Sequence, residues 1–155
     1  MHDEQVSLRR GTAADAPVIA DYNIAMALET EGKVLDPETV RKGVEAVLAD
    51  PAKGFYLIAE SDGRVVGQGM VTFEWSDWRD GVFWWLQSVY VHPDARRQGV
   101  FARLFRALEA EARRRPEVAG LRLYVDQENL TAQETYRRLG MAASNYALFE
   151  LEFED

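Results

Sequence analysis

The sequence predicts an α/β domain on a mixed sheet, and three observations carry that reading. Short apolar runs of period two alternate with longer runs of helical period along the chain. Their order is β-α-α-β-β-β-α-β-α-β, in which strands and helices interleave as in layered α/β architectures. At 155 residues, with 47% hydrophobic and 28% charged residues, the chain suits one domain, residues 1–155, with a true core.

Each element has its own local signal. Val6 and Leu8 mark a short first strand. Thr12-Ala13-Ala14-Asp15 has capping-box form and predicts a helix carrying Val18, Ile19, Tyr22 and Met26. Asp36-Pro37 places an N-cap and an N1 proline before a second helix with Val40, Val44, Val47 and Leu48. Phe55 to Glu60 and Val65 to Phe73 read as strands joined by an Asp62-Gly63 hairpin turn. Trp75 to Gly81 reads as a second hairpin loop, and Val82 to Val91 as the next strand. Phe101, Leu104, Phe105, Leu108 and Ala112 form one stripe at helical spacing. Leu121, Leu123 and Val125 alternate as a strand, and Thr131 to Leu139 reads as a helix stopped by Gly140. Ala147, Phe149, Leu151 and Phe153 alternate with Glu150 and Glu152, predicting a last strand with one wet face.

Composition excludes several classes of function. Without cysteine there is no thiol nucleophile, disulfide frame or thiolate metal site, and a reducing, cytoplasmic setting is expected. Two histidines, His2 and His92, are too few for a histidine-rich metal site, so no metal is expected. The residues after Met1 lack the basic and apolar regions of a secretory leader, and no apolar run is long enough for a bilayer. The net charge of -8 disfavours general nucleic-acid binding. Positive charge gathers instead from Arg96 to Arg115, which suits a small anionic ligand better than a long polyanion.

The densest chemical signal is Arg96-Arg97-Gln98-Gly99-Val100-Phe101-Ala102, between the apolar run Val89-Tyr90-Val91 and an amphipathic helix. A helix start leaves backbone N–H groups without intrahelical partners, and the helix dipole adds positive potential there. Gly99 lets an anion approach the backbone, while Arg96 and Arg97 place charge at the rim. The loop is suited to holding a polyphosphate.

This segment resembles the Gln/Arg-x-x-Gly-x-Gly/Ala motif of the GNAT superfamily of acetyl-CoA-dependent N-acetyltransferases, with Phe101 at the position of the last small residue. A second stretch, Asn129 to Met141, is similar to that superfamily's Asn-x-x-Ala-x-x-x-Tyr-x-x-x-Gly-Phe segment, with Met141 replacing Phe. The resemblance spans nearly the whole chain. It implies a mostly antiparallel mixed sheet, splayed at the acetyl-CoA site and flanked by helices on both faces. It implies that backbone groups of Val89, Tyr90 and Val91 hold the pantetheine arm, and that amides from Arg97 to Ala102 hold the diphosphate. Asn129 is implied as a cofactor contact. Tyr136, about two helical turns beyond it, is implied as the general acid that protonates the departing thiolate.

The acceptor side is less defined. Glu74, Glu29 and Glu31 are candidate bases or amine contacts, with Glu74 favoured as the base. A carboxylate pressed against Trp75, Trp78 or Trp85 is expected to have a raised pKa. Acidic groups beside tryptophans suit a small cationic amine, with Glu29, Glu31, Trp75 and Trp85 as its contacts. The alternatives are a non-catalytic acyl-CoA sensor and an acetyltransferase acting on protein lysines or N-termini. A homodimer is also expected, from the last strand and the exposed aromatic residues. Simpler roles stand beside these: a solvated turn at Arg96–Ala102, a core tyrosine at Tyr136, an N-cap at Asn129, and hairpin packing by the tryptophans.

Overall fold

A computed structural model describes residues 6–153, so His2 and the segment after Met1 lie outside the described residues. The elements are β1 (Val6–Arg10), α1 (Ala16–Glu31), α2 (Pro37–Ala49), β2 (Phe55–Ser61), β3 (Arg64–Ser76), β4 (Gly81–Val91), α3 (Val100–Arg113), β5 (Val118–Leu123) and α4 (Leu130–Arg138). Contacts divide the chain into two compact units, Met1–Tyr124 and Val125–Asp155.

The first unit holds a five-stranded open sheet in the order β1-β2-β3-β4-β5. Neighbours from β1 to β4 run antiparallel, and β5 pairs parallel with β4. The Asp62-Gly63 turn joins β2 to β3 with φ of 53° and 73°, the two left-handed residues of a type I′ hairpin. The β3–β4 hairpin is longer than its apolar pattern predicts: Trp75 and Ser76 still pair with Val82 and Gly81.

Helices cover both faces of this sheet. On one, Ile19 and Ala20 of α1 and Val44 of α2 pack with Tyr56 and Ile58 of β2. Asp36 starts α2 by accepting the Thr39 N–H at 3.1 Å. Ahead of α1, Thr12 N–H donates to Asp15 Oδ2 at 2.7 Å, within a 3₁₀ turn over Ala13–Asp15. On the other face α3 buries Val100, Leu104, Phe105, Leu108 and Ala112. Its first turn sits hard against β3, where a Cβ at Gly67 would stand 3.0 Å from Val100 Cγ1. That close approach seats the first turn of the helix on β3.

Two expectations are corrected. β5 ends at Leu123 and does not reach Val125. The expected strand from Ala147 to Phe153 does not form, and Phe149, Leu151 and Phe153 are 92%, 84% and 90% exposed. Period-two alternation supplies a face but no hydrogen-bonding partner, and a strand needs both. Among the described residues no helix is long and apolar enough to cross a membrane.

Candidate active site

The sheet opens beside β4. The parallel ladder with β5 runs from Val82↔Val118 to Leu86↔Leu123 and stops, while β4 continues to Val91. Just past that point the β3–β4 register shifts between Gln68 and Met70, and Ser88 takes a φ of 50°. A bulge bends its strand and strengthens local twist, so β4 is turned where its pairing with β5 ends. Residues 87–91, including Val89, Tyr90 and Val91, thus offer one backbone edge with no neighbouring strand among the described residues.

β4 leads through a 3₁₀ turn, Pro93–Ala95, into the loop that opens α3. Arg97 and Gly99 have φ of 62° and 78°, both left-handed. Gly99 is the N-cap residue, and the first intrahelical bond joins Arg103 N–H to Gly99 C=O at 3.0 Å. Left-handed residues at a helix start can turn successive amides toward one concavity, an anion-binding arrangement. Gly99 has open space where a Cβ would stand, so the approach to these amides is clear.

The side chains around the loop divide their tasks. Val100 is buried and anchors the turn. Phe101 lies 6.3 Å from Phe105, ring centre to ring centre, and packs along α3 beside the half-buried Ala102. Gln98 donates to the Asp94 carbonyl at 3.3 Å, while Arg97 is exposed. Arg96 turns back toward the sheet: its Nε donates to Val91 O at 2.9 Å and its Nη2 to Glu29 Oε2 at 2.8 Å. Its guanidinium also stands 5.3 Å from the Tyr90 ring centre, and the Tyr90 hydroxyl donates to Glu29 Oε1 at 3.1 Å.

The acceptor-side carboxylates differ from expectation. Glu74 accepts from Trp85 Nε1 at 2.9 Å and from Arg122 Nη1 at 2.7 Å. The indole N–H, then Arg122, hold its carboxyl below the ordinary range. Arg96 does the same to Glu29. The expected upward shift beside tryptophan is therefore reversed at Glu74, because the indole donates a hydrogen bond instead of desolvating the carboxylate. Trp85 is half-buried with its ring 4.5 Å from that of Tyr124. Trp75 is 64% exposed, Glu31 is exposed on the last turn of α1, and Trp84 is buried in the core.

In the second unit, Asn129 Oδ1 accepts the Ala132 N–H at 3.0 Å, so Asn129 is an N-cap of α4. Tyr136 lies on that helix, and burial raises its hydroxyl above the ordinary tyrosine value. Among the described residues no cluster of His, Cys, Asp or Glu could hold a metal ion.

Arg122 and Gln68 escape sequence reasoning. Arg122 sits in an alternating strand and reads as a wet-face residue. Gln68 interrupts the apolar run from Val65 to Val71, and that interruption was the available signal.

An open mixed sheet, splayed beside a bulged strand and followed by a helix that starts behind left-handed loop residues, places the chain among layered α/β proteins with an anion-binding helix start. The sequence profile of the acetyltransferase (GNAT) family matches residues 22–141, and the chain belongs to that family. A structure of a possible acetyltransferase from Clostridium difficile 630 is 41% identical, with 97% of this chain and 99% of that one covered and a TM-score of 0.92. A ribosomal-protein-alanine N-acetyltransferase from Brucella melitensis biovar Abortus 2308 is 21% identical over 96% and 99% of the chains, with a TM-score of 0.77. An aminoglycoside acetyltransferase, meta-AAC0020, from an uncultured soil metagenomic sample is 15% identical over 98% and 99%, also with a TM-score of 0.77. The last two share the fold alone. A search of curated proteins returns no match.

Proposed function

We propose that this chain is an N-acetyltransferase that moves an acetyl group from acetyl-CoA to a small cationic amine. The observation that carries the reading is the α3 start, N-capped by Gly99 and preceded by Arg97, both left-handed, next to the β4 edge that pairs with no strand among the described residues. Amides from Arg97 to Ala102 would take the diphosphate, with Arg96 and Gln98 at the rim of that loop. Val89, Tyr90 and Val91 would extend the sheet along the pantetheine arm as an added strand does. Asn129 can contact the cofactor through its amide nitrogen while its oxygen caps α4.

In the reaction the amine nitrogen bonds to the thioester carbon and the carbon–sulfur bond breaks. Tyr136 gives its proton to the leaving thiolate as general acid. Glu74, held ionised, attracts the ammonium and relays its proton through water. Glu29, Glu31, Trp75 and Trp85 form the remaining acceptor contacts, by charge and cation–π attraction. Positioning and a polarised carbonyl supply most of the rate gain.

Residues 1–155 act as one functional domain in this reading, in the cytoplasm. The exposed Phe149, Leu151 and Phe153 support a homodimer, which light scattering checks. Calorimetry with acetyl-CoA, then CoA release across a panel of polyamines and amino sugars, tests the whole. Heat without turnover on any amine would leave only a binding module; no heat at millimolar CoA would sink the reading.

A further inference from the structure

β3 and β4 lose register at one point. Gln68 faces Tyr90 and Met70 faces Gln87, so Ser88 and Val89 together oppose Gly69. A bulge of this kind leaves backbone groups without ladder partners. The Ser88 carbonyl is met by a side chain: Gln68 Nε2 donates to it at 3.1 Å. The same nitrogen donates to Asn23 Oδ1 on α1 at 2.8 Å, and Asn23 shares a hydrogen bond with the Tyr56 hydroxyl. Gln68 is fully buried, and its Oε1 has no partner among the described residues. An apolar side chain of that size would avoid the orphaned acceptor but would leave the Ser88 carbonyl without a donor.

The Ser88 carbonyl and the Val89 N–H belong to one planar trans peptide and point opposite ways. Anchoring the carbonyl therefore also fixes the direction of the Val89 N–H, on the stretch of β4 that lies beyond the end of the β5 ladder. We infer that Gln68 is a positioning residue for acetyl transfer, holding the Ser88–Val89 peptide so that the Val89 N–H meets the thioester carbonyl as charge develops on its oxygen. This rests on the acetyl-CoA reading above.

The test is Q68M in the full chain. In the free protein, hydrogen exchange of the β3 and β4 ladder amides that flank the bulge should speed at least about tenfold while helix amides of α3 keep their rates. In steady state, kcat should fall about 10- to 100-fold, with CoA affinity within about twofold, since CoA lacks the thioester carbonyl. Unchanged exchange in the ladder amides flanking the bulge, or equal losses in kcat and CoA affinity, would overturn the inference. Should Q68M not fold, N23A loosens the same amide from its second anchor and should move both readouts in the same direction; no movement overturns the inference equally. If the unaltered protein releases no CoA with any amine, the transfer reading fails, while the exchange measurement still decides whether Gln68 fixes the bulge.

Discussion

Arg96 Nη2 lies 2.8 Å from Glu29 Oε2, joining the loop that opens α3 to the last turns of α1. The two ends of the proposed reaction, diphosphate and amine, thus compete for one ion pair. Both side chains are near half exposed, so the pair adds at most about 1 kcal/mol to stability. Its larger effect is to hold Arg96 off the loop.

E29Q should release that arginine. CoA affinity is expected to tighten about threefold to tenfold, with melting nearly unchanged. Calorimetry at low and high salt reads this, and weaker binding in the variant would exclude the competition.

Gly99 has a φ of 78°, and a Cβ there meets nothing within 4 Å. G99A should cost about 1–2 kcal/mol through backbone strain. The strain would shift the loop amides on either side of Gly99, so CoA affinity should drop by more than tenfold. A variant that loses stability but binds CoA normally would place the diphosphate elsewhere.

Glu74 is held ionised by Trp85 and Arg122, so it should not set a titration limb near neutrality. E74Q is expected to raise KM for a cationic amine about tenfold, to lower kcat as the proton relay is lost, and to leave CoA affinity alone. The pH dependence from pH 6 upward should follow the amine's own deprotonation in both proteins. A limb near neutrality that vanishes in E74Q would instead identify a Glu74 with a raised pKa.

Tyr136 is protonated at neutral pH, as an acid must be, and burial raises its pKa further. Y136F should lower kcat about 10²- to 10⁴-fold and keep CoA affinity. Full activity in the variant would assign the hydroxyl a packing role.

Asp15 is a buried carboxylate gripped by Arg9 at 2.7 and 2.8 Å, with Arg9 also paired to Glu60. Arg9 holds its carboxyl below the ordinary aspartate range. A lowered folded pKa gives stability that is complete above the unfolded pKa and is lost as pH falls through the folded one. D15N should cost about 2 kcal/mol at pH 7, and its deficit should shrink below about pH 4. A deficit constant down to pH 2 would mean the charge is not what stabilises this turn.

Where a signal acts on backbone a few residues away, the sequence alone was sufficient. Asp36 caps its helix and Asp62-Gly63 makes its turn; the loop from Arg96 to Ala102 opens α3 at Val100 as its glycine and spacing require. Asn129 also does what its capping propensity predicts. These choices cost or gain their energy locally, so tertiary context need not be known.

Only the folded chain could decide what crosses long sequence separations. The Arg96–Glu29 pair, the Arg122 guanidinium on Glu74 and the Gln68 amide on Ser88 depend on strand register and on which face each helix covers. Composition around Glu74 pointed to desolvation, yet the Trp85 indole N–H and then the Arg122 guanidinium reversed the sign. Ala147 to Phe153 carries a strand's alternation without a strand's partner. Pattern fixes which side of a segment is apolar; hydrogen-bonding neighbours, supplied by the tertiary fold, determine whether that side is used.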